Sequence, residues 1–291
     1  MTVDELLEGV GLPDGPSYNY AFLDEATKRE LRRRTLKAVS IPGHQVPFGS
    51  REMPLARGWG TGGLQLTLSL IGPGDVYKAI DQGADDSVNA VNMRALVARM
   101  AEVETTLDTR EATVVQSRHR VPEEPLRGDQ ILVLQVPIPE PLERVEPRIS
   151  KARKMHAEKD YSKMWLFLYE SIAKHGEITV GARYPVLVNR TYLMDPSPIP
   201  RWDVPKLDDA PSLALFGAGR EKRIYAIPPY TSVEPLEFED HPFRVENFPE
   251  PCRRCGSTDT YLDEITDETT GETFYTCSDT DFCDRRGEEG T

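Results

Sequence analysis

Four cysteines carry the clearest chemistry in this sequence: Cys252, Cys255, Cys277 and Cys283, in the spacing C-x2-C-x21-C-x5-C near the C-terminus. In a chain expected to be cytoplasmic, clustered cysteines point to metal or redox chemistry rather than to disulfides. Cys252 and Cys255 bracket Arg253-Arg254, a knuckle whose backbone amides can point at one sulfur. The run TYLDEITDETTGETFYTC at 260–277 predicts a hairpin turning at Gly271, which returns Cys277 to the first pair. Cys283, six residues further on, is within reach of the site but not constrained to it. Four thiolates suit one tetrahedral zinc ion, and the same donors hold iron–sulfur clusters. The unequal last gap departs from a regular zinc ribbon. On spacing alone both metals stay open.

The elements that must position these sulfurs are short and mixed. A helix is expected over 24–40, capped by Asp24 and ended by Pro42. The stretch 41–65 holds too many glycines and prolines for a long helix or a central strand. A strand is expected at 64–71, then a turn at Gly72-Pro73-Gly74-Asp75 leading into a helix at about 75–82. Asp85 or Asp86 starts a helix to about 101, with Val88, Val91, Leu96, Val97 and Met100 as its apolar face. Strands are expected at 113–117 and 131–138, the second buried. One long helix covers 150–174 and stops at Gly176, hairpin strands follow near 178–188 and 191–194, and a strand covers 222–228. The expected class is α+β: a mixed α/β core domain with a small C-terminal four-cysteine metal knuckle. The expected division is a flexible N-terminal extension over 1–17, a core over 18–248, and a knuckle with a short acidic tail over 249–291.

Composition narrows the function. The chain has 291 residues, 38% hydrophobic and 29% charged, as in a soluble globular protein. Its net charge of −13 argues against broad nucleic-acid or membrane-surface binding, yet leaves room for a local basic pocket. The first residues lack a basic region followed by an apolar run, so a cytoplasmic location is expected. The 24 prolines cluster at 136–147, 195–200 and 227–230, which suits a subunit lying against partners and equally a loop-rich monomer.

The surroundings of the cysteines, EPCRRCGST at 250–258 and CSDTDFC at 277–283, resemble those of the catalytic-subunit family of carbon–phosphorus lyase. The likeness extends through YNYAFLDEATKRELRR at 18–33, IPGHQVPFGSREMP at 41–54, GWGTGGLQL at 58–66, QVPIPEPL at 135–142 and FGAGREKRIYAIPP at 216–229. It implies a radical S-adenosyl-L-methionine enzyme that cleaves α-D-ribose 1-methylphosphonate 5-phosphate to methane and 5-phosphoribose 1,2-cyclic phosphate. The sequence lacks the common C-x3-C-x2-C signature of radical S-adenosyl-L-methionine enzymes, as the family does. The resemblance implies a [4Fe–4S] cluster on Cys252, Cys255 and Cys277, a thiyl radical at Cys283 and a glycyl radical at Gly43. From the residues alone, Gly43 is a turn glycine after a proline. Zinc on all four sulfurs, with Cys283 as fourth ligand, is the inactive state expected of an air-exposed preparation. The implied partners are the core subunits PhnG, PhnH and PhnI and an ATP-binding-cassette protein, PhnK. An alternative is an interaction subunit with a structural zinc knuckle.

The implied substrate carries two phosphorus oxyanions, which need amide and cationic donors. In GWGTGG the backbone at Gly60, Gly62 and Gly63 can present amides to a phosphate, although the same glycines serve a structural turn equally well. Arg118, His119 and Arg120 leave an expected strand and can clamp a phosphonate, or form a partner-facing patch. Gln45 and Arg51 lie close enough in sequence to line a pocket around Gly43. His156 and His175 read as structural or surface residues, and His241 as a loop contact. None of the five histidines is spaced for a metal with another, so a second, histidine-bound metal would need a partner's ligands.

Overall fold

A computed structural model describes residues 23–49, 61–136, 141–175, 186–194, 201–219, 222–235 and 248–289. Helix α1 (Glu25–Ser40) opens where Asp24 accepts a hydrogen bond from the Thr27 amide at 2.7 Å, and it buries Leu31, Thr35 and Ala38. Among the described residues the centre of the fold is a seven-stranded mixed sheet. Five strands run parallel: β2 (Val76–Asp81), β3 (Glu104–Thr105), β4 (Val114–Arg118), β5 (Ile131–Gln135) and β8 (Leu213–Ala218). Two more, β9 (Arg223–Ile227) and β1 (Val46–Pro47), close one edge antiparallel, giving the order β1-β9-β8-β5-β4-β2-β3.

Period-two alternation sends each strand's side chains to opposite faces. Ile131, Val133, Leu215, Ile224 and Ala226 face one way, packed under α1, α2 (Thr61–Leu70) and α3 (Val88–Ala101). Leu132, Leu134, Phe216, Tyr225 and Ile227 face the other way, under α4 (Ile149–Glu158), α5 (Ser162–His175) and a small sheet. That small sheet joins β6 (Val186–Val188), β7 (Tyr192–Met194) and β10 (Val233–Pro235). The C-terminal segment pairs β11 (Leu262–Thr266) with β12 (Thr273–Cys277) and ends in α6 (Thr280–Glu289). The α+β expectation stands, as do the first helix and the strands near 113–117 and 222–228. So do the described parts of the strand expected over 131–138 and of the hairpin near 186–194. Among the described residues no helix is long and apolar enough to cross a membrane.

Two local expectations fail in element type and two hold as helices but need correction in detail, each for a physical reason. The strand expected at 64–71 is helix α2: the alternation Leu64-Gln65-Leu66-Thr67-Leu68-Ser69 mimics a strand, but every one of these residues is buried. A helix enclosed on all sides between α1 and strands β5 and β8 needs no amphipathic period. The helix expected at 75–82 is instead β2, a central strand with both faces covered, so it shows no alternation. Asp75 starts it by accepting from the Gly72 amide at 2.8 Å and the Thr113 hydroxyl at 2.7 Å. The helix expected from Asp85 or Asp86 begins at Val88 instead, capped by the Ser87 hydroxyl. It buries Ala90, Met93, Leu96 and Val97, leaving Val88 77% and Val91 43% exposed. The single helix expected at 150–174 is two, broken at Lys159 (φ 54°) and restarted where Asp160 accepts from the Ser162 amide at 3.1 Å. Gly176 lies outside the described residues.

Candidate metal centre

The hairpin β11–β12 does what its sequence predicts. Leu262 pairs with Cys277 and Gly271 (φ 71°) makes the turn, so Cys277 returns to the knuckle. The knuckle itself is closed by backbone bonds: the Cys252 amide donates to the Ser257 carbonyl and the Gly256 amide to the Cys252 carbonyl, each at 2.8 Å. Cys283 arrives on the first turn of α6, its amide donating to the Asp279 carbonyl at 3.1 Å. All four sulfurs lie within 4.8 Å of one another. Cys252–Cys283 are 3.7 Å apart and Cys255–Cys277 3.4 Å apart. Three of the four cysteines are buried, and Cys255 is half-buried.

Burial pushes the thiols up, and at Cys283 it prevails, with the neighbouring Cys252 sulfur adding to it, so that thiol is pushed up to about 12. Cys277 is also pushed up by burial. At Cys252 burial is outweighed by the backbone amides of Cys255, Cys277 and Arg254, and the thiol is held at about 6. One thiolate is thus prepared by the fold, and Cys277 and Cys283 become ligands only when a cation compensates their charge. The donor set fits a thiophilic metal. A tetrahedral ion with Zn–S bonds of about 2.3 Å needs sulfurs about 3.8 Å apart, close to the separations found. A cubane cluster is larger than one ion, so Cys252, Cys255 and Cys277 would have to move apart to hold it.

The metal segment docks on the loops leaving the carboxyl ends of β2 and β4. The chain leaves β2 through α3 on one face of the sheet. It leaves β4 through a loop whose Val121 and Leu126 pack on the other face. Adjacent parallel strands that diverge in this way leave a crevice outside their carboxyl ends, where ligands bind in open α/β sheets. Here the crevice is filled by Tyr261 and Ser278: a Cβ added to Gly83 would meet them at 3.1 and 3.4 Å. Buried Lys78 lies 3.5 Å from both Asp85 and Asp279, Thr280 donates to Asp85 at 3.0 Å, and the Tyr261 amide donates to Glu123 at 2.9 Å. Arg285 reaches Glu124 at 2.7 Å. Sequence reasoning missed Lys78, Asp85 and Asp279; the acidic residues inside CSDTDFC were the available signal.

The arginines expected to clamp a phosphonate are committed inside the protein. Arg118 grips Asp81 with two bonds, at 2.5 and 2.8 Å. Arg120 holds Asp203 at 2.6 and 3.2 Å and stacks 3.7 Å above the Tyr261 ring. His119 lies between them with φ 81°, its pKa lowered to about 4 by burial and the adjacent Arg118 charge. Gly62 and Gly63 serve close packing. A Cβ on Gly62 would lie 2.4 Å from the Gly219 nitrogen, and the Gly63 amide already donates to Gln135 at 2.7 Å. Gly60, Arg51 and His241 lie outside the described residues.

Gly43 sits elsewhere. Its amide donates to the Ala226 carbonyl on β9 at 2.8 Å, and its φ of 73° favours glycine. An added Cβ would lie 2.8 Å from Val188 Cβ. Gly43 lines a cavity of about 540 Å³ that also includes Gln45. From β9 to β2, where the metal segment docks, the sheet takes four strand steps, about 19 Å at the usual ~4.8 Å spacing. The fold therefore brings the four cysteines together and keeps Gly43 apart from them.

A family model described as "Phosphonate metabolism protein PhnJ" matches residues 16–289. A protein of Escherichia coli (strain K12), "Alpha-D-ribose 1-methylphosphonate 5-phosphate C-P lyase", is 58% identical over 271 residues, covering 93% of this chain and 96% of its own length. One of Rhizobium meliloti (strain 1021), bearing the same description, is 56% identical over 277 residues, covering 95% of this chain and 93% of its own. A match of this extent, with all four cysteines inside it, places the chain in the PhnJ family of phosphonate metabolism proteins.

Proposed function

We propose that this chain is a carbon–phosphorus lyase that cleaves α-D-ribose 1-methylphosphonate 5-phosphate to methane and 5-phosphoribose 1,2-cyclic phosphate in phosphonate catabolism. The observation that carries the reading is near-full-length similarity, at 58% and 56% identity, to two proteins described as C-P lyases of α-D-ribose 1-methylphosphonate 5-phosphate. In this reading Cys252, Cys255 and Cys277 hold a [4Fe–4S] cluster. That cluster, with S-adenosyl-L-methionine, supplies the one-electron chemistry that an alkyl–phosphorus bond without a good leaving group requires. Gly43 is the hydrogen-atom store: its Cα has no side chain and is flanked by an amide nitrogen and a carbonyl that delocalise an unpaired electron. As a radical, Gly43 takes the hydrogen atom of the Cys283 thiol, and the Cys283 thiyl so formed bonds to phosphorus as the methyl group leaves as a radical. Gly43 returns a hydrogen atom to the methyl, giving methane, and the ribose 2-hydroxyl displaces Cys283 from phosphorus, closing the cyclic phosphate. In the closed arrangement Cys283 packs against Cys252, so the reaction needs α6 to release it and a rearrangement that lets Cys283 and Gly43 meet. The chain works in this reading with PhnG, PhnH, PhnI and PhnK, in the cytoplasm.

The close four-sulfur packing favours a second reading, a zinc-held structural knuckle in a multi-protein complex. Anaerobic, co-expressed complex given substrate, reductant and S-adenosyl-L-methionine distinguishes the two. Methane and 5′-deoxyadenosine from the parent, with neither from Cys255→Ala and no methane from Cys283→Ala, supports the lyase. Undiminished methane from Cys283→Ala would remove the assigned sulfur chemistry. Zinc as the sole metal of an active anaerobic sample would remove the cluster.

A further inference from the structure

The cavity beside Gly43 differs in charge from the rest of this acidic chain. Its described lining includes Arg153, Lys159 and Arg223, with no aspartate or glutamate. Among the described residues neither Arg153 nor Lys159 has a carboxylate partner. Arg223 is aimed by Gln45, which accepts from its Nη1 at 2.7 Å, and it pairs more loosely with Glu143 at 4.0 Å. The three come from different elements: Arg153 from α4, Lys159 from the break after it, and Arg223 from β9. Three cations converge on one concavity, two of them without a carboxylate partner among the described residues, and this favours an anion there. The volume, about 540 Å³, is that of a pocket for a small metabolite.

Lys159 adds an independent mark. It terminates α4 at φ 54°, with its amide turned back to the His156 and Met155 carbonyls. Helices favour glycine at such a left-handed terminus, because a Cβ is strained there. A lysine in that conformation on the wall of a cationic cavity carries strain at a position where its charge is useful.

We infer that this cavity is an oxyanion site, in which Arg153, Lys159 and Arg223 hold a phosphorus group of the sugar substrate beside Gly43. The inference deepens the proposed lyase reading and rests on it for the choice of sugar; its test does not depend on turnover. Full-length protein is titrated calorimetrically, without cofactor, with ribose 5-phosphate, methylphosphonate and ribose. Ribose 5-phosphate or methylphosphonate binds and ribose does not. Arg153→Gln and Arg223→Gln each weaken binding on the order of tenfold, the loss expected for one charge-assisted contact. Lys154→Gln, on the same helix but paired with Glu158 at 3.6 Å, leaves binding unchanged. Whichever anion suffers more in the variants identifies the end of the substrate that the cavity takes. Lys159→Gly raises the melting temperature and weakens binding. No binding by the parent, equal losses in Lys154→Gln, or full affinity in both arginine variants would overturn the site. A higher melting temperature with unchanged affinity would remove Lys159 from it. Intact binding with no methane from the reconstituted complex would instead remove the lyase reading and leave the site standing.

Discussion

The two ends of this molecule use cations in opposite ways. Around the metal segment, Lys78, Arg118, Arg120 and Arg285 each face a carboxylate, and most of those carboxylates are buried. Beside Gly43, Arg153 and Lys159 face open cavity, and Arg223 is held by an amide oxygen with Glu143 only at 4.0 Å. A matched cation fixes elements against each other, whereas an unmatched one waits for a ligand. The difference teaches that the docking crevice under the cysteines is assembled to hold a protein segment, and that recognition of a small anion belongs at the far edge of the sheet.

The comparison breaks most forcefully at the metal. Hairpin β11–β12 and α6 share a small apolar cluster made largely of the cysteines themselves, with Leu262, Phe248 and Tyr275. A segment so built would depend on a metal ion bound by the four sulfurs, worth on the order of 10 kcal/mol in small thiolate sites. Chelation, or Cys277→Ala, is expected to abolish stoichiometric metal binding and to bring amide exchange over 262–277 close to that of an unstructured chain. The sheet beneath keeps its protection. Retained protection in the metal-free hairpin would show that the docking contacts alone hold it.

Next in size is the ion triad beneath. Lys78 is fully buried and sits between Asp85 and Asp279. Lys78→Met leaves two buried carboxylates without their cation, a loss of about 3–5 kcal/mol by the usual cost of breaking a buried pair. Urea unfolding measures it. A loss below about 1 kcal/mol, the range of an exposed pair, would mean that the triad does not clamp the metal segment to β2.

These contrasts were only partly legible in the sequence. The four cysteines announced their meeting point because a two-residue gap and a hairpin with a glycine turn are local geometry. The crevice beneath them was not legible, since Lys78 and Asp279 are 201 positions apart and nothing local marks them as partners. Helix α2 and strand β2 were each read as the other's type, because both are buried all round and burial erases the period that separates helix from strand. Arg118 and Arg120 looked available because their partners, Asp81 and Asp203, come from separate elements. The cationic cavity stayed hidden for the same reason: its three charges converge only through the break at Lys159 and the edge pairing of β1 with β9.

At the other end, Gly43→Ala tests whether the cavity wall tolerates a side chain. The added Cβ meets Val188 Cβ at 2.8 Å in a backbone conformation that disfavours it, a cost of about 1–3 kcal/mol for overpacking. Metal content is expected to stay intact while methane release from the complex is abolished. Turnover near the parent rate would contradict the role proposed for Gly43.

The smallest effect sharpens the comparison by pH. His119 is held neutral in the fold, its pKa lowered from 6.5 to about 4 by burial and by Arg118. A base with a depressed folded pKa contributes stability that is present above its unfolded pKa and lost as pH falls through the folded value. The window therefore runs from about pH 6.5 down to about pH 4. His119→Asn keeps a residue that tolerates positive φ and removes the titration. The urea midpoint of the parent should fall more steeply across that window than that of the variant, while above pH 7 the two profiles run parallel. Parallel profiles throughout would mean that His119 is solvated as the chain folds, and that the loop after β4 is looser than its paired arginines imply.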